Sequence, residues 1–526
     1  MIAVSRQGVQ LVGLWLLLLG IAFAVRPLLP VDETRYLSVA WEMWQRGDLL
    51  VPYLNGEPYS HKPPLLFWLI HLGWKAFGVN EWWPRLIAPL FSAANLYLTY
   101  TLARQLWPDE RETALAAPWV LFGGLLWAMF FTLLQFDLLL VFCTLLGVKG
   151  LLVAARGEAH GWLLFGLGLG LGALSKGPVV LVHLIPVAVL APLWARQPAP
   201  RWGGWYAGVL LSLISGALIV LAWAMPAATA GGDAYARAIF WGQSAGRVVD
   251  AFAHQQPVWW YLAWLPIVLL PWVLWSAVWQ GLRNPQLWRD EGTRMLISWI
   301  VPTLLILSFI SGKQVKYLLP VLPAFALLIA RSVELSQAAP GRLWAVAGML
   351  VVAGMTFLLL PAWPSVSLPF WVSGIPRYWG LLSIVAALVL LVLRPGSIGE
   401  AVRHMAFGSV FLVVIIHLGL VRAAAPAYDL EAVAQRIRHY QAAGRPVANV
   451  GKYHGQFQFL GRLAEPLVSV GAGDAAAWAK ANPDGYLVFY AGVSDLPVAG
   501  SELSQAYRTR AEGIRIWQAR KFLMLE

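Results

Sequence analysis

Charge is scarce in this 526-residue chain: 12% of its residues are charged and 59% are hydrophobic, whereas an ordinary soluble domain has about 25% charged and roughly 45–50% apolar residues. So few charges cannot coat one large water-soluble core, which excludes a soluble enzyme, a nucleic-acid binder and a disordered hub together. Cysteine is almost absent as well. The single Cys143 can close no intrachain disulfide and excludes a cysteine-based metal site. A nucleotide fingerprint is also missing. Gly166, Gly168, Gly170 and Gly172 lack both the G-x-G-x-x-G spacing and a preceding strand, so they read as a surface for close helix packing.

What is present is a series of apolar runs near the length needed to cross a bilayer, about 20 residues each. They lie at 8–29, 86–106, 114–132, 134–155, 161–175, 178–195, 203–226, 258–280, 294–311, 317–333, 343–361, 378–393 and 405–422. The expected fold is therefore a polytopic α-helical membrane protein with about 13 transmembrane helices. Arg6, the first run and Ala22-Phe23-Ala24 imitate a signal peptide, but with a dozen further runs behind them they read as an uncleaved anchor. The 30 tryptophans suit many membrane–water interfaces, and the net charge of +12 reads as topology rather than as a nucleic-acid footprint. With the N-terminus inside, Arg104, Arg111, Arg156, Arg283, Arg289, Arg331 and Arg403 all fall in inside loops. The acidic pairs Asp109-Glu110 and Asp290-Glu291 fall there too and read as solvated charge.

Two long connections, 30–85 and 227–257, and the C-terminal tail then lie outside. Residues 426–526 carry 11 Lys/Arg and 9 Asp/Glu, against 27 and 17 in the 425 residues before them. This shift divides a membrane domain, 1–425, from a soluble domain, 426–526. The tail reads as α/β, with a helix near 429–443 ended by Gly444 and strands near 446–450, 466–470, 486–491 and 514–519. In the first outer loop Leu37, Ala40, Trp41 and Trp44 share one helical face, a pattern suited to lying in the membrane interface.

Ionisable groups at bilayer depth are costly and mark function. Asp137 sits at the outer start of a run among Phe136, Leu138, Leu139 and Leu140, and is expected to line a polar cavity. The outer side also gathers Arg35, Lys62, Lys176, Arg247, Lys313 and Lys316, cations that the positive-inside rule would not place there. With Lys176 in Ser-Lys-Gly-Pro between two short runs, they point to an anion site where helices break, most naturally for phosphate. Asp32-Glu33-Thr34-Arg35-Tyr36 adds two carboxylates and a guanidinium, followed by His61-Lys62-Pro63-Pro64-Leu65.

The series DETRY, NGEPYSHKPPLLFW, ALSKGP, FW followed by Arg247 and QQPVWWY, then SGKQVKYLLP, resembles the aminoarabinose transferase branch of the GT-C glycosyltransferases, related to protein O-mannosyltransferases. The resemblance spans most of the membrane domain. It implies a polyprenyl-phosphate sugar donor, about thirteen spans and a periplasmic C-terminal α/β domain in the bacterial inner membrane, with no nucleotide. Carried over to this chain, it makes Asp32 and Asp137 the catalytic carboxylates. Arg35, Lys62, Lys176 and Arg247 become ligands of the donor phosphate, and Tyr317, Lys313, Tyr59 and Glu33 line the cavity or the lipid chain. The chain departs from the family where His61 replaces a Glu before Lys-Pro-Pro, and where Gly242-Gln243-Ser244 replaces a His-x-His. A metal would lose those ligands or be rebuilt around His61, so the cofactor stays open.

The implied reaction moves 4-amino-4-deoxy-L-arabinose from undecaprenyl phosphate to a lipid A phosphate. Cations would stabilise the leaving phosphate, and Asp32 would act as a base or as an orienting charge. Two alternatives stand beside it. One keeps the fold and changes the sugar (mannose, galacturonic acid, an aminohexose) or the acceptor (lipopolysaccharide, another glycan or protein). The other is a transporter or flippase of a lipid-linked anion.

Overall fold

The computed structural model describes residues 6–195, 200–242, 255–336, 343–363, 368–492, 498–508 and 512–525. The chain divides into two compact units: Met1–Leu19 with Ser60–Ala353 and Leu382–Val414, and Gly20–Tyr59 with Gly354–Leu381 and Ile415–Glu526.

The first unit is helical. Across the whole chain, eight helices among the described residues are long and apolar enough to cross a membrane, and Leu65–Phe77, Val179–Val189 and Tyr378–Val392 are shorter apolar helices. Several expected runs are broken for visible reasons. The run expected at 258–280 is divided into Trp260–Val268, Trp272–Leu274 and Ser276–Leu282, with Pro266 and Pro271 each removing a helix donor. In the other direction, the helix from Trp202 runs on to Arg237 past Pro226, bending at Gly232, where a connection was expected from 227.

Helices Asp137–Ala155 and His160–Lys176 pack without intervening side chains, as the glycine series anticipated. A Cβ at Gly168 would lie 2.7 Å from the Cys143 carbonyl oxygen, and one at Gly172 would lie 3.3 Å from the Cys143 Cβ. The alternate glycines serve a second neighbour: a Cβ at Gly166 would lie 2.2 Å from Ser215 Oγ, and one at Gly170 2.8 Å from Ile219. A spacing of two residues thus sends successive glycines to two partner helices.

The reading of Glu110 and Asp290 as solvated charge is corrected. Buried Arg331 lies 3.0 Å from Glu110, 3.3 Å from Asp290 and 3.1 Å from Glu334. Asp290 also accepts from the Trp107 indole and from Gly292 N–H at 2.8 Å. A buried guanidinium needs carboxylates from more than one helix, and inspection of a single loop cannot reveal that.

The second unit is built on a five-stranded sheet of β3 (Val447–Val450), β4 (Val468–Val470), β5 (Tyr486–Gly492), β6 (Leu503–Ala506) and β7 (Glu512–Gln518), in the order β4-β3-β5-β7-β6. β4, β3 and β5 are mutually parallel, and β7 runs antiparallel to both β5 and β6. Alternate side chains supply two cores. Val488, Ile514 and Ile516 pack with Val433 and Ile437 of helix Glu431–Ala442, while Leu487 and Trp517 pack on the other side with Ala475, Ala479 and Phe522. Four of the five strands were legible in the sequence. The edge strand β6, Leu-Ser-Gln-Ala, has neither β-branched residues nor apolar alternation, and its pairing with β7 makes it a strand.

The same unit contains helix Asp32–Arg46 and a small hairpin, β1 (Tyr53–Leu54) with β2 (Glu57–Pro58). Asn55 and Gly56 turn it with φ of 54° and 84°, the pair favoured where both central residues need positive φ. Asn55 binds Leu467 through both N–H and carbonyl (2.8 and 2.9 Å) and Gln458 Nε2 (2.7 Å). The expectation of a helix lying in the membrane interface is also corrected. Leu37 and Ala40 are fully buried, the Trp41 indole donates to Leu463 O at 3.0 Å, and Ser38 Oγ accepts from Phe459 N–H at 3.2 Å. Protein, and not lipid, covers that amphipathic face.

Candidate functional site

In the helical unit, Asp137 opens one helix and Lys176 closes its antiparallel neighbour. Glycine packing brings these two ends together, and Asp137 and Lys176 form an ion pair with side chains only 4% and 10% exposed. Each charge also has the sign that its helix end favours, an acid at the amino end and a base at the carboxyl end. The Lys176 ammonium lies over the Tyr317 ring, 4.6 Å from its centre, and Tyr317 is held in a 3-10 turn by its N–H to Gln314 O at 3.0 Å. Lys62 Nζ lies 5.7 Å from the centre of the Phe136 ring, which packs edge-on against Phe67. Asp137, Lys176, Tyr317, Lys62 and the Phe136 ring thus form a connected cluster at one set of helix ends.

Lys313 is placed differently. Its ammonium is buried and donates to the carbonyls of Ile310 (2.6 Å) and Gln256 (2.9 Å), so it staples a connection together. Arg247 lies outside the described residues. His61 is exposed, and among the described residues no three His, Cys, Asp or Glu side chains converge to hold a metal ion.

In the second unit, Asp32 and Arg35 are paired at 2.5 Å on the first turn of their helix, with side chains 34% and 21% exposed. The Arg35 guanidinium also lies 5.5 Å from the Tyr36 ring centre. Tyr59 is buried, its N–H bound to Pro52 O at 2.7 Å. Glu33 turns the opposite way from Asp32, forming a buried ion pair with Arg26 and accepting from Leu29 N–H at 2.8 Å. Sequence reasoning missed Arg26, because a seven-residue separation across a helix boundary carries no periodic signal. It also missed His454. Burial, and after it the positive charges of Arg35, Lys452 and Arg508, holds that imidazole below its ordinary pKa.

Each proposed carboxylate, Asp32 and Asp137, therefore sits against a cation. Such a pair can hold a phosphate through the cation while the carboxylate aligns a second group or balances positive charge developing on a sugar.

The profile described as dolichyl-phosphate-mannose-protein mannosyltransferase matches residues 61–224. The undecaprenyl phosphate-α-4-amino-4-deoxy-L-arabinose arabinosyl transferase 1 of Pseudomonas fluorescens is 31% identical over 425 residues, 76% of this chain and 74% of that protein. The corresponding transferase of Pseudomonas aeruginosa strain UCBPP-PA14 is 32% identical over 337 residues, 60% of this chain and 59% of that protein. The crystal structure of ArnT from Cupriavidus metallidurans bound to undecaprenyl phosphate has the same fold, with a TM-score of 0.77, 20% identity and coverage of 97% of this chain and 98% of that one. On the extended match to the Pseudomonas fluorescens protein, and with a fold shared from end to end with ArnT, the chain belongs to the aminoarabinose transferase family of membrane glycosyltransferases.

Proposed function

We propose that this glycosyltransferase moves 4-amino-4-deoxy-L-arabinose from undecaprenyl phosphate to a phosphate of lipid A, on the periplasmic face of the inner membrane. The observation that carries this reading is the 31% identity over 425 residues with the Pseudomonas fluorescens transferase. In this reading residues 1–425 form the catalytic membrane domain, with about thirteen spans, and residues 426–526 form a periplasmic α/β domain.

The reaction breaks the bond between the sugar's anomeric carbon and the donor's phosphate oxygen. It forms a bond from that carbon to an oxygen of the acceptor phosphate, and undecaprenyl phosphate leaves with the electron pair. Negative charge grows on the leaving phosphate while the sugar becomes cation-like, so fixed cations lower the barrier on one side and carboxylates on the other. Lys62, Lys176, Arg35 and Arg247 are assigned to the donor phosphate. Tyr317 covers Lys176 with an aromatic face and, with Tyr59, borders the donor's path. Asp137 orients Lys176 through their ion pair.

Asp32 orients and balances charge. An acceptor phosphate is already ionised at neutral pH and has little need of an obligate base. The test is transfer of radiolabelled sugar from undecaprenyl-phosphate-aminoarabinose to lipid A in membranes, comparing wild type with Lys62→Ala and Asp32→Asn. Transfer by wild type with a large loss in Lys62→Ala is expected. No transfer by folded wild type would overturn the assignment of sugar and acceptor.

A further inference from the structure

The loop that follows β3 leaves the sheet where its connections diverge. From β3 the chain passes to β4 on one side and then crosses to β5 on the other. In open α/β sheets the crevice beyond the carboxyl ends of such strands is where ligands bind. The loop here, 451–456, carries Lys452 and His454 and is held from within. Gln456 Oε1 accepts from His454 N–H at 3.0 Å, and the Gln456 amide bonds to Tyr490 OH. Tyr453 OH accepts from Phe457 N–H at 3.1 Å and bonds to Gln458. Gly451 and Gly455, with φ of 87° and 75°, turn the backbone so that Gln456 and Phe457 are buried while Lys452 stays exposed and His454 half-exposed.

A second cation comes from the connection after β6. The backbone of Arg508 is fully engaged: its N–H donates to Ala427 O at 3.0 Å and its carbonyl accepts from the Trp371 indole at 3.1 Å. Its guanidinium lies 4.7 Å from the centre of the Tyr507 ring. Tyr507 packs edge-on against Tyr490, ring centres 5.9 Å apart, and Tyr490 OH is the group that bonds Gln456, so the Arg508 connection meets the 451–456 loop; Arg35, Lys452 and Arg508 all bear electrostatically on His454. Among the described residues, no carboxylate forms an ion pair with Lys452, His454 or Arg508. Among the described residues Lys452 and Arg508 thus lack the counter-charge that Asp32 gives Arg35, and an anion bound beside them supplies it.

We infer that Lys452, His454 and Arg508, beside Arg35, form a binding site for a phosphate monoester on a sugar, the group that the acceptor presents to the enzyme. This rests on the acceptor reading above. It gives the C-terminal residues a substrate-binding role, while Lys62, Lys176, Arg35 and Arg247 keep the donor phosphate.

The test uses the full-length protein in nanodiscs, comparing wild type with the double variant Lys452→Gln/Arg508→Gln. Probes are bisphosphorylated lipid A, its dephosphorylated counterpart and inorganic phosphate. The expected result is at least ~10-fold weaker binding of phosphorylated lipid A and a matching rise in its KM, with kcat and donor KM unchanged, while binding of the dephosphorylated lipid does not move. Unchanged binding of phosphorylated lipid A, or equal loss for both lipids, would overturn the inference. Loss confined to inorganic phosphate would make this a free-phosphate site and would likewise overturn the acceptor role. If wild type binds lipid A through these residues yet transfers no sugar to it, the binding site stands and the proposed reaction fails. Should the double variant not fold, Lys452→Gln alone changes an exposed side chain and carries the same comparison.

Discussion

Asp137 and Lys176, 39 residues apart in the chain, meet as a nearly buried ion pair at adjoining helix ends. Removing one member strands the other charge, whereas removing both leaves a neutral gap. Lys176→Met is expected to lower stability by about 3–5 kcal/mol, and Asp137→Asn/Lys176→Met to recover most of it. Sugar transfer should stay low in both. Thermal unfolding in detergent, read beside activity, checks this: recovery of transfer in the double variant would show the pair to be structural only.

Asp32 and Arg35 are partly exposed, so their pairing contributes less than about 1 kcal/mol to stability. Asp32→Asn should fold normally. As an orienting group it should cost less than the roughly 10²–10⁴-fold typical of a general base, and the loss should be insensitive to pH. Steady-state kinetics across pH would decide between the two roles, since an obligate base imposes its own pKa on kcat/KM.

Gly168 has no room for a side chain, since a Cβ there would lie 2.7 Å from the Cys143 carbonyl oxygen, while a Cβ at Gly203 would meet nothing within 4 Å. Gly168→Ala should cost about 1–3 kcal/mol through forced separation of the two helices, and Gly203→Ala should be near neutral. Because these helices carry Asp137 and Lys176, Gly168→Ala should also depress transfer. Paired melting and activity measurements test both effects.

Asn55 joins its hairpin to Leu467 and Gln458. Asn55→Ala loses three hydrogen bonds and places alanine at positive φ, together worth about 2–4 kcal/mol. Faster amide exchange at 53–58 and around Leu467, with protection of helix Asp137–Ala155 unchanged, is the expected signature.

His454 is held below its ordinary pKa of 6.5 by burial and by Arg35, Lys452 and Arg508. The unfolded chain therefore takes up the proton first as pH falls. The neutral imidazole's contribution to stability is complete above about 6.5 and is lost as pH falls towards the folded value. His454→Gln should flatten that part of the pH–stability curve. An unchanged slope below about pH 6.5 would show that other groups dominate.

Composition alone decided the class of this protein. Twelve per cent charged residues cannot clothe a soluble body of 526 residues, and short motifs around Asp32, Lys62 and Lys176 were enough to identify the family. Periodicity foretold most strands of the C-terminal sheet, because alternating apolar residues reflect a two-sided core. Long-range pairing was not legible. Nothing local marks Arg331 as the partner of Glu110 and Asp290, Arg26 as that of Glu33, or the face of helix Asp32–Arg46 as ground for Leu463 and Phe459. Nor does a solvated tail announce that Lys452, His454 and Arg508 share one electrostatic neighbourhood. A chain's local pattern records which residues seek burial and which seek water. Which charge answers which depends on the approach of segments hundreds of residues apart, and only tertiary packing decides it.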